Sequence, residues 1–232
     1  MIAISLLGAC AGKPLYREVI QHPGEYELVY YGYQTDTPQI YKATVNGKVF
    51  LAEKDTVVPS VQSVFLLQNT HINEGESVLD IGTGSGVQAI FAAEKASKVV
   101  ATDINSNAIE STQLNIKLHN LGNLIETRLG DLFQPVRDDE IFDVIIFNID
   151  YPSNRSEQGL WEVHERFFAQ AKKHLKSGGR IYYQAGWLHN IPDLVRMIEG
   201  NGFKIMRMNM ETIESHHRQP IAFEIVEKKV LR

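Results

Sequence analysis

The sequence predicts an alternating α/β fold on a parallel, doubly wound sheet, and three observations carry that prediction. A short apolar run, Ser77-Val78-Leu79-Asp80-Ile81, opens into Gly82-Thr83-Gly84-Ser85-Gly86, after which Val87, Ile90, Phe91 and Ala93 recur at helical spacing. The same order of strand and helix returns over 98–118 and from 142 to the glycines at 178 and 179. Two last extended runs, Phe203 to Met210 and Ile221 to Glu227, read as final strands after a further helix.

Composition sets the outer bounds. A chain of 232 residues, 44% hydrophobic and 22% charged, fits one sizeable α/β domain with a small appendage. A formal charge of -5 provides no global basic field, so the balance tips towards a protein or small-molecule partner. RNA or DNA would need a local basic patch. The single cysteine, Cys10, excludes an intrachain disulfide and fits a reducing, cytoplasmic setting. Leu7-Gly8-Ala9-Cys10 has the look of a lipoprotein cleavage box, but no Lys or Arg precedes the apolar run, so the expectation is a buried N-terminal segment, with export as the second reading. No run approaches the roughly 20 apolar residues of a membrane span.

Taken in order, residues 13 to about 58 read as β-rich, with Asn46-Gly47 between two β-branched runs as a hairpin turn. The expected division is 1–58 for this segment and 59–232 for the main domain. Pro59 or Ser60 starts a helix carrying Val61, Val64 and Phe65. At the glycine turn, Gly82, Gly84 and Gly86 allow a tight bend and close approach of a ligand, and the next helix presents its free N–H groups there. The spacing is Gly-x-Gly-x-Gly, not the dinucleotide Gly-x-Gly-x-x-Gly, and the Asp80 carboxylate would repel a pyrophosphate but suit a cation. Asp103 ends the second strand about 20 residues on, where a carboxylate can accept both hydroxyls of a ribose, each bond contributing about 1.5–3 kcal/mol. Asp103 could instead cap the helix that follows, although Asn105 can do so at least as well. The third strand, Leu124 to Leu129, ends at Gly130-Asp131-Leu132, and the fourth, Phe142 to Phe147, delivers Asn148-Ile149-Asp150-Tyr151-Pro152 to the same edge.

From 56 to about 227 this order resembles the class I S-adenosylmethionine-dependent methyltransferases, in the small-domain, Asn-Pro-Pro-Tyr-type subgroup that includes release-factor glutamine methyltransferases and RNA or DNA amine methyltransferases. The resemblance implies a Rossmann-like seven-stranded sheet, with the two last strands as its antiparallel edge, and S-adenosyl-L-methionine as cofactor. It implies that Asp80, Gly82, Thr83, Gly84, Ser85 and Gly86 form the donor-binding turn and that Asp103, with Ile104 beside it, takes the ribose. Asp131 would meet the adenine amine, Leu132 the ring, and Asn148 both donor and acceptor. In the family the Asn oxygen and a backbone carbonyl accept the N–H groups of a planar nitrogen, and the Tyr ring packs on the substrate. Here Asn148 and Tyr151 are in register, but Ile149 and Asp150 replace both prolines, which removes the fixed φ of the loop and adds a carboxylate able to favour a cation or accept a proton.

The resemblance implies methyl transfer to a nitrogen of a protein glutamine amide or a small molecule, with an RNA or DNA base amine as the alternative. Two other classes compete: a dinucleotide oxidoreductase, which would need glycine where Val87 stands, and a non-catalytic S-adenosylmethionine-binding subunit, which would tolerate the altered loop. The helix from Gly159 is expected to end at Gly178-Gly179; Trp187 and His189 could border the substrate, although a packed histidine is the simpler reading. His216-His217 lacks the spacing of a metal site.

Overall fold

The computed structural model describes residues 14–21, 27–33, 40–154, 156–212 and 219–228. The N-terminal run through Cys10 and the loop with His216 and His217 therefore lie outside the described residues. Strands β1 (Pro14–Gln21), β2 (Glu27–Tyr33), β3 (Tyr41–Val45) and β4 (Lys48–Ala52) form an antiparallel sheet in sequence order. The β3–β4 turn is the Asn46-Gly47 hairpin, both residues having positive φ, +47° and +77°.

The helix α1 (Val61–Asn69) begins at Ser60, whose hydroxyl accepts the Ser63 N–H. There follow β5 (Ser77–Ile81), α2 (Val87–Ala92), β6 (Lys98–Asp103), α3 (Ser106–Leu118), β7 (Ile125–Leu129), β8 (Phe142–Phe147), α4 (Gln158–His174), β9 (Leu175–Ala185), α5 (Ile191–Gly200), β10 (Phe203–Met210) and β11 (Ile221–Glu227). The second sheet has seven strands in the order β10-β11-β9-β8-β5-β6-β7. Its β7-β6-β5-β8-β9 portion is parallel, and β11 and β10 add the antiparallel edge.

One boundary differs from expectation. The helix α4 stops at His174, and Leu175 is already extended and paired with Phe142. The glycines instead make an irregularity inside β9: Gly178 has φ of +82°, and a Cβ on Gly179 would stand 2.8 Å from the Asp143 carbonyl oxygen. They permit pairing to resume at Arg180 with Val144.

Apolar burial divides between the two faces of the large sheet. On one, Leu28, Ala43, Val45 and Phe50 of the small sheet join α1, α2, Val78, Val99 and Val144 in one cluster. On the other, Phe147 stacks on Phe167 with centroids 3.9 Å apart, which presses α4 beneath the end of β8. Three side chains fasten β4 to α3. Asn115, fully buried, accepts the Leu51 N–H and donates to Leu51 O and Ser85 O; Ser111 accepts the Glu53 N–H; His119 Nε2 meets Val49 O at 2.7 Å. Replacing Asn115 by Ala strips partners from three backbone groups, the buried Ser85 O and the half-buried Leu51 N–H and O. The expected loss is about 2–4 kcal/mol in urea unfolding, and a loss below about 0.5 kcal/mol would mean that these bonds do not hold the small sheet in place.

Candidate active site

Parallel pairing brings Ile81, Asp103, Leu129 and Phe147 out of the sheet on one edge, and β8 lies on the opposite side of β5 from β6. At such a reversal a doubly wound sheet opens a ligand crevice. A cavity of about 520 Å³ occupies it.

The glycine turn forms one wall. Gly82, Gly84 and Gly86 all lie in the left-handed region, with φ of +71°, +58° and +82°. A Cβ on Gly82 would fall 2.1 Å from Ile149 Cγ2, and one on Gly86 3.0 Å from Thr112 Cγ2. The first glycine thus admits the loop after β8, and the third admits α3. Thr112 Oγ1 donates to Gly84 O at 2.9 Å, and the Gly84 N–H donates to Asp103 Oδ2 at 3.0 Å. Asp103 Oδ1 accepts the Asn105 N–H at 2.9 Å, while the Asn105 side chain caps α3 through the Asn107 N–H. Each Asp103 oxygen therefore keeps a lone pair for a ligand while its orientation is fixed from two sides.

Gly82, Thr83, Gly84, Ser85, Asp103, Ile104, Asp131, Leu132, Asn148, Asp150 and Tyr151 line this one cavity. Asp80 and Gly86 do not. Gly86 is the left-handed N-cap of α2. Asp80, expected to face a cation, lies buried behind the turn and accepts the Thr83 hydroxyl at 2.7 Å. Burial pushes its carboxyl up to about 7, with the Asp103 charge adding to the rise and the Thr83 bond opposing it.

Asp131 is gripped by Arg166 of α4, Nη1 to Oδ2 at 2.6 Å. Leu132 holds a left-handed backbone, φ +47°, while its side chain is buried at the cavity. In the loop after β8, Asn148 Nδ2 donates to Ser63 Oγ at 3.2 Å. His164 Nε2 meets Asp150 O at 3.0 Å, and Tyr183 Oη meets His164 Nδ1 at 3.0 Å. Complete burial pushes the imidazole down to about 4 despite the Asp150 carbonyl and charge, so it is neutral: Nε2–H donates to the carbonyl and Nδ1 accepts the tyrosine hydroxyl. The Tyr151 ring is almost wholly buried, its hydroxyl 1.4 Å from the place of a Gly186 Cβ. Only glycine at 186 leaves that seat open.

Trp187 and His189 are not in the cavity wall; His189 Nε2 meets Ser153 O at 2.6 Å and Asn190 Nδ2 donates to Pro152 O at 2.6 Å, so this segment fastens the loop. Sequence reasoning missed Ser63, Gln88, Val163, Arg166 and Gln184 in the wall. Among them only Ser63 left a trace, standing three residues after a predicted helix start. Among the described residues no group of three His, Cys, Asp or Glu side chains could hold a metal.

Residues 60–202 match the family model described as methyltransferase small domain. A ribosomal protein L11 methyltransferase of Halalkalibacterium halodurans is 35% identical over 156 residues, which cover 67% of this chain and 44% of that protein. A release factor glutamine methyltransferase of Aquifex aeolicus is 29% identical over 184 residues, covering 68% and 64%. The chain thus spans less than half the length of the L11 methyltransferases it matches. The crystal structure of Trm5b from Pyrococcus abyssi shares the fold at a TM-score of 0.66 and 20% identity, over 92% of this chain and 63% of that one.

Asp80 provides a test of the buried turn. Its folded carboxyl binds a proton up to about pH 7, the unfolded one only to about pH 4. The stability this contributes is complete below about pH 4 and lost as pH rises through about 7. Asp80→Asn, neutral throughout, should therefore gain on the wild type by a few kcal/mol, on the order of 2–4, between pH 4 and pH 8. Guanidinium unfolding at both pH values checks this; a gap independent of pH would mean that Asp80 titrates normally.

Proposed function

Since the chain belongs to the methyltransferase small domain family, whose members use S-adenosylmethionine, we propose that it transfers a methyl group to a nitrogen of a protein or small-molecule acceptor, a glutamine amide being the leading protein candidate. The observation that carries this reading is the convergence of the glycine turn, Asp103 and Asn148 on one cavity. The residues fit the cofactor. Among the described residues of the lining, Asp55, Asp103, Asp131 and Asp150 stand against one cation, Arg166, which suits a positively charged ligand, and Ile104, Ala108 and Leu132 give an apolar slot for an adenine. Asp103 is the ribose acceptor, and Asp131, once released from Arg166, the partner of an exocyclic amine.

Bound S-adenosylmethionine supplies an electrophilic methyl carbon on a sulfonium. The protein's part is orientation and electrostatics. Asn148 Oδ1 accepts an N–H of the acceptor, the Ile149 carbonyl accepts a second, and together they turn the nitrogen lone pair towards the methyl. Tyr151 walls the acceptor side. Transfer would break the S–CH3 bond as the N–C bond forms, releasing a neutral thioether, and Asp150 would take the proton that the methylated nitrogen then gives up. The acceptor proposal draws support from the relatives whose names specify L11 and release-factor glutamine methylation, and from the acidic lining, which disfavours a phosphate backbone.

Two substitutions separate the roles. Asp103→Ala should weaken S-adenosylmethionine binding by about tenfold or more in calorimetric titration, the value of one or two charge-assisted hydrogen bonds. Asn148→Ala should leave that affinity within about twofold but lower methyl transfer by about 100-fold or more, measured with tritium-labelled methyl donor and glutamine-containing peptides. Equal loss of cofactor binding in both variants would sink this division of labour. Transfer to RNA but not to peptides would move the acceptor to the alternative class.

A further inference from the structure

The side-chain amide of Asn148 has two unlike ends, and only one can accept an N–H. Within hydrogen-bonding range of its Nδ2 stands Ser63 Oγ, at 3.2 Å, on the first turn of α1. Ser63 is almost wholly buried and is itself held: its N–H donates to Ser60 Oγ at 3.2 Å and the two hydroxyls lie 3.1 Å apart. Gln88 Nε2 fixes the Ser63 carbonyl at 2.9 Å. If the Ser63 hydroxyl hydrogen points to Ser60, its lone pairs remain for the Asn148 amide. The donor end of Asn148 is then engaged by α1, and the acceptor end, Oδ1, is left for the cavity.

On the methyl-transfer reading above, we infer that Ser63 is a positioning and specificity-determining residue: by engaging Asn148 Nδ2 it presents Oδ1 to the acceptor, so that the site selects a nitrogen bearing hydrogen over a carbonyl oxygen or an unprotonated ring nitrogen. A rotated amide would present N–H groups and reverse that choice. The fixed φ of proline is absent from positions 149 and 150, and the Ser60–Ser63–Asn148 chain supplies one of the restraints that take its place. It also links the N-terminus of α1, directly after the segment that crosses the cavity at Val57 and Val58, to the reacting end of the site.

The test reads the amide itself. In ¹H–¹⁵N spectra of the full chain, the Asn148 side-chain pair is assigned by its loss in Asn148→Asp. Hydrogen bonding to Ser63 should protect one of its protons; in Ser63→Ala its solvent exchange should speed up by roughly five- to tenfold, and Ser63→Thr, which keeps the hydroxyl, should restore it. S-adenosylmethionine affinity should stay within about twofold in both variants. With an accepting peptide in hand, kcat should fall about tenfold in Ser63→Ala at unchanged KM, with recovery in Ser63→Thr. Unaltered exchange in Ser63→Ala would overturn the inference, whatever the activity. Loss of all methyl transfer in the wild type alongside the expected exchange pattern would overturn the functional reading and leave the Ser63–Asn148 bond standing.

Discussion

The structure depends on a stretch of backbone that only glycine can follow. Three alternate residues after β5 take left-handed angles, and at two of them the missing Cβ is where another element passes: Ile149 over Gly82 and Thr112 over Gly86. A side chain at either site would meet both the conformational cost, about 1–2 kcal/mol, and a collision with packed neighbours. The turn's polar groups are then shared out. Its carbonyls go to Thr112 and Asn115 of α3, and the Gly84 N–H to Asp103. One bend of chain thereby fixes the relation between β5, β6 and α3, and the strand ends that carry Asp103 and Asn148 follow from it.

The loop after β8 is restrained differently. Prolines at 149 and 150 would set its angles locally; with Ile149 and Asp150 there, the constraint arrives from other elements. Ser63 of α1 engages the Asn148 amide, neutral His164 of α4 holds the Asp150 carbonyl, and Asn190 and His189 take the Pro152 and Ser153 carbonyls. Tyr183 completes the set by occupying His164 Nδ1, which settles the tautomer and so the direction of the Nε2 donor. Four bonds spread over three segments can fix a loop as well as two fixed torsions, but each needs its own buried partner, and burial is what keeps His164 uncharged and able to act as a donor at one nitrogen and an acceptor at the other.

What the sequence revealed follows from how local each signal is. The glycine turn, the Asp103 strand end, the Asn46-Gly47 hairpin and the Asn105 cap are written in contiguous residues, and the strand edge that gathers Asp103, Asp131 and Asn148 follows from parallel pairing alone. The burial of Asp80 was not legible, because one residue in a strand points to either face and the sequence alone favoured the ligand side. The glycines at 178 and 179 read as a helix stop, yet their conformational freedom serves a strand irregularity, since pairing with β8 captures the chain first at Leu175. Ser63, His164 and Arg166 are separated from the groups they touch by 85, 14 and 35 residues. Nothing in a helical pattern marks such partners.

The small sheet enters the same argument. Its last strand is fastened to α3 by Asn115, Ser111 and His119, and one of those residues, Asn115, also holds the glycine turn. The chain leaves β4 with Lys54 O and Asp55 O bonded to Asn107 and Asn105, passes its Val57 carbonyl within 3.4 Å of the place a Cβ would occupy on Gly84, and enters α1 at Ser60. Both ends of this short cover are thus tied to elements that build the cavity, one to α3 and one to the helix that orients Asn148. A Cβ at 84 would only touch the Val57 carbonyl, so glycine is called for there by the left-handed φ of +58° and not by lack of space. The described residues ahead of the large sheet therefore help to set the shape of the cavity through hydrogen bonds to α3.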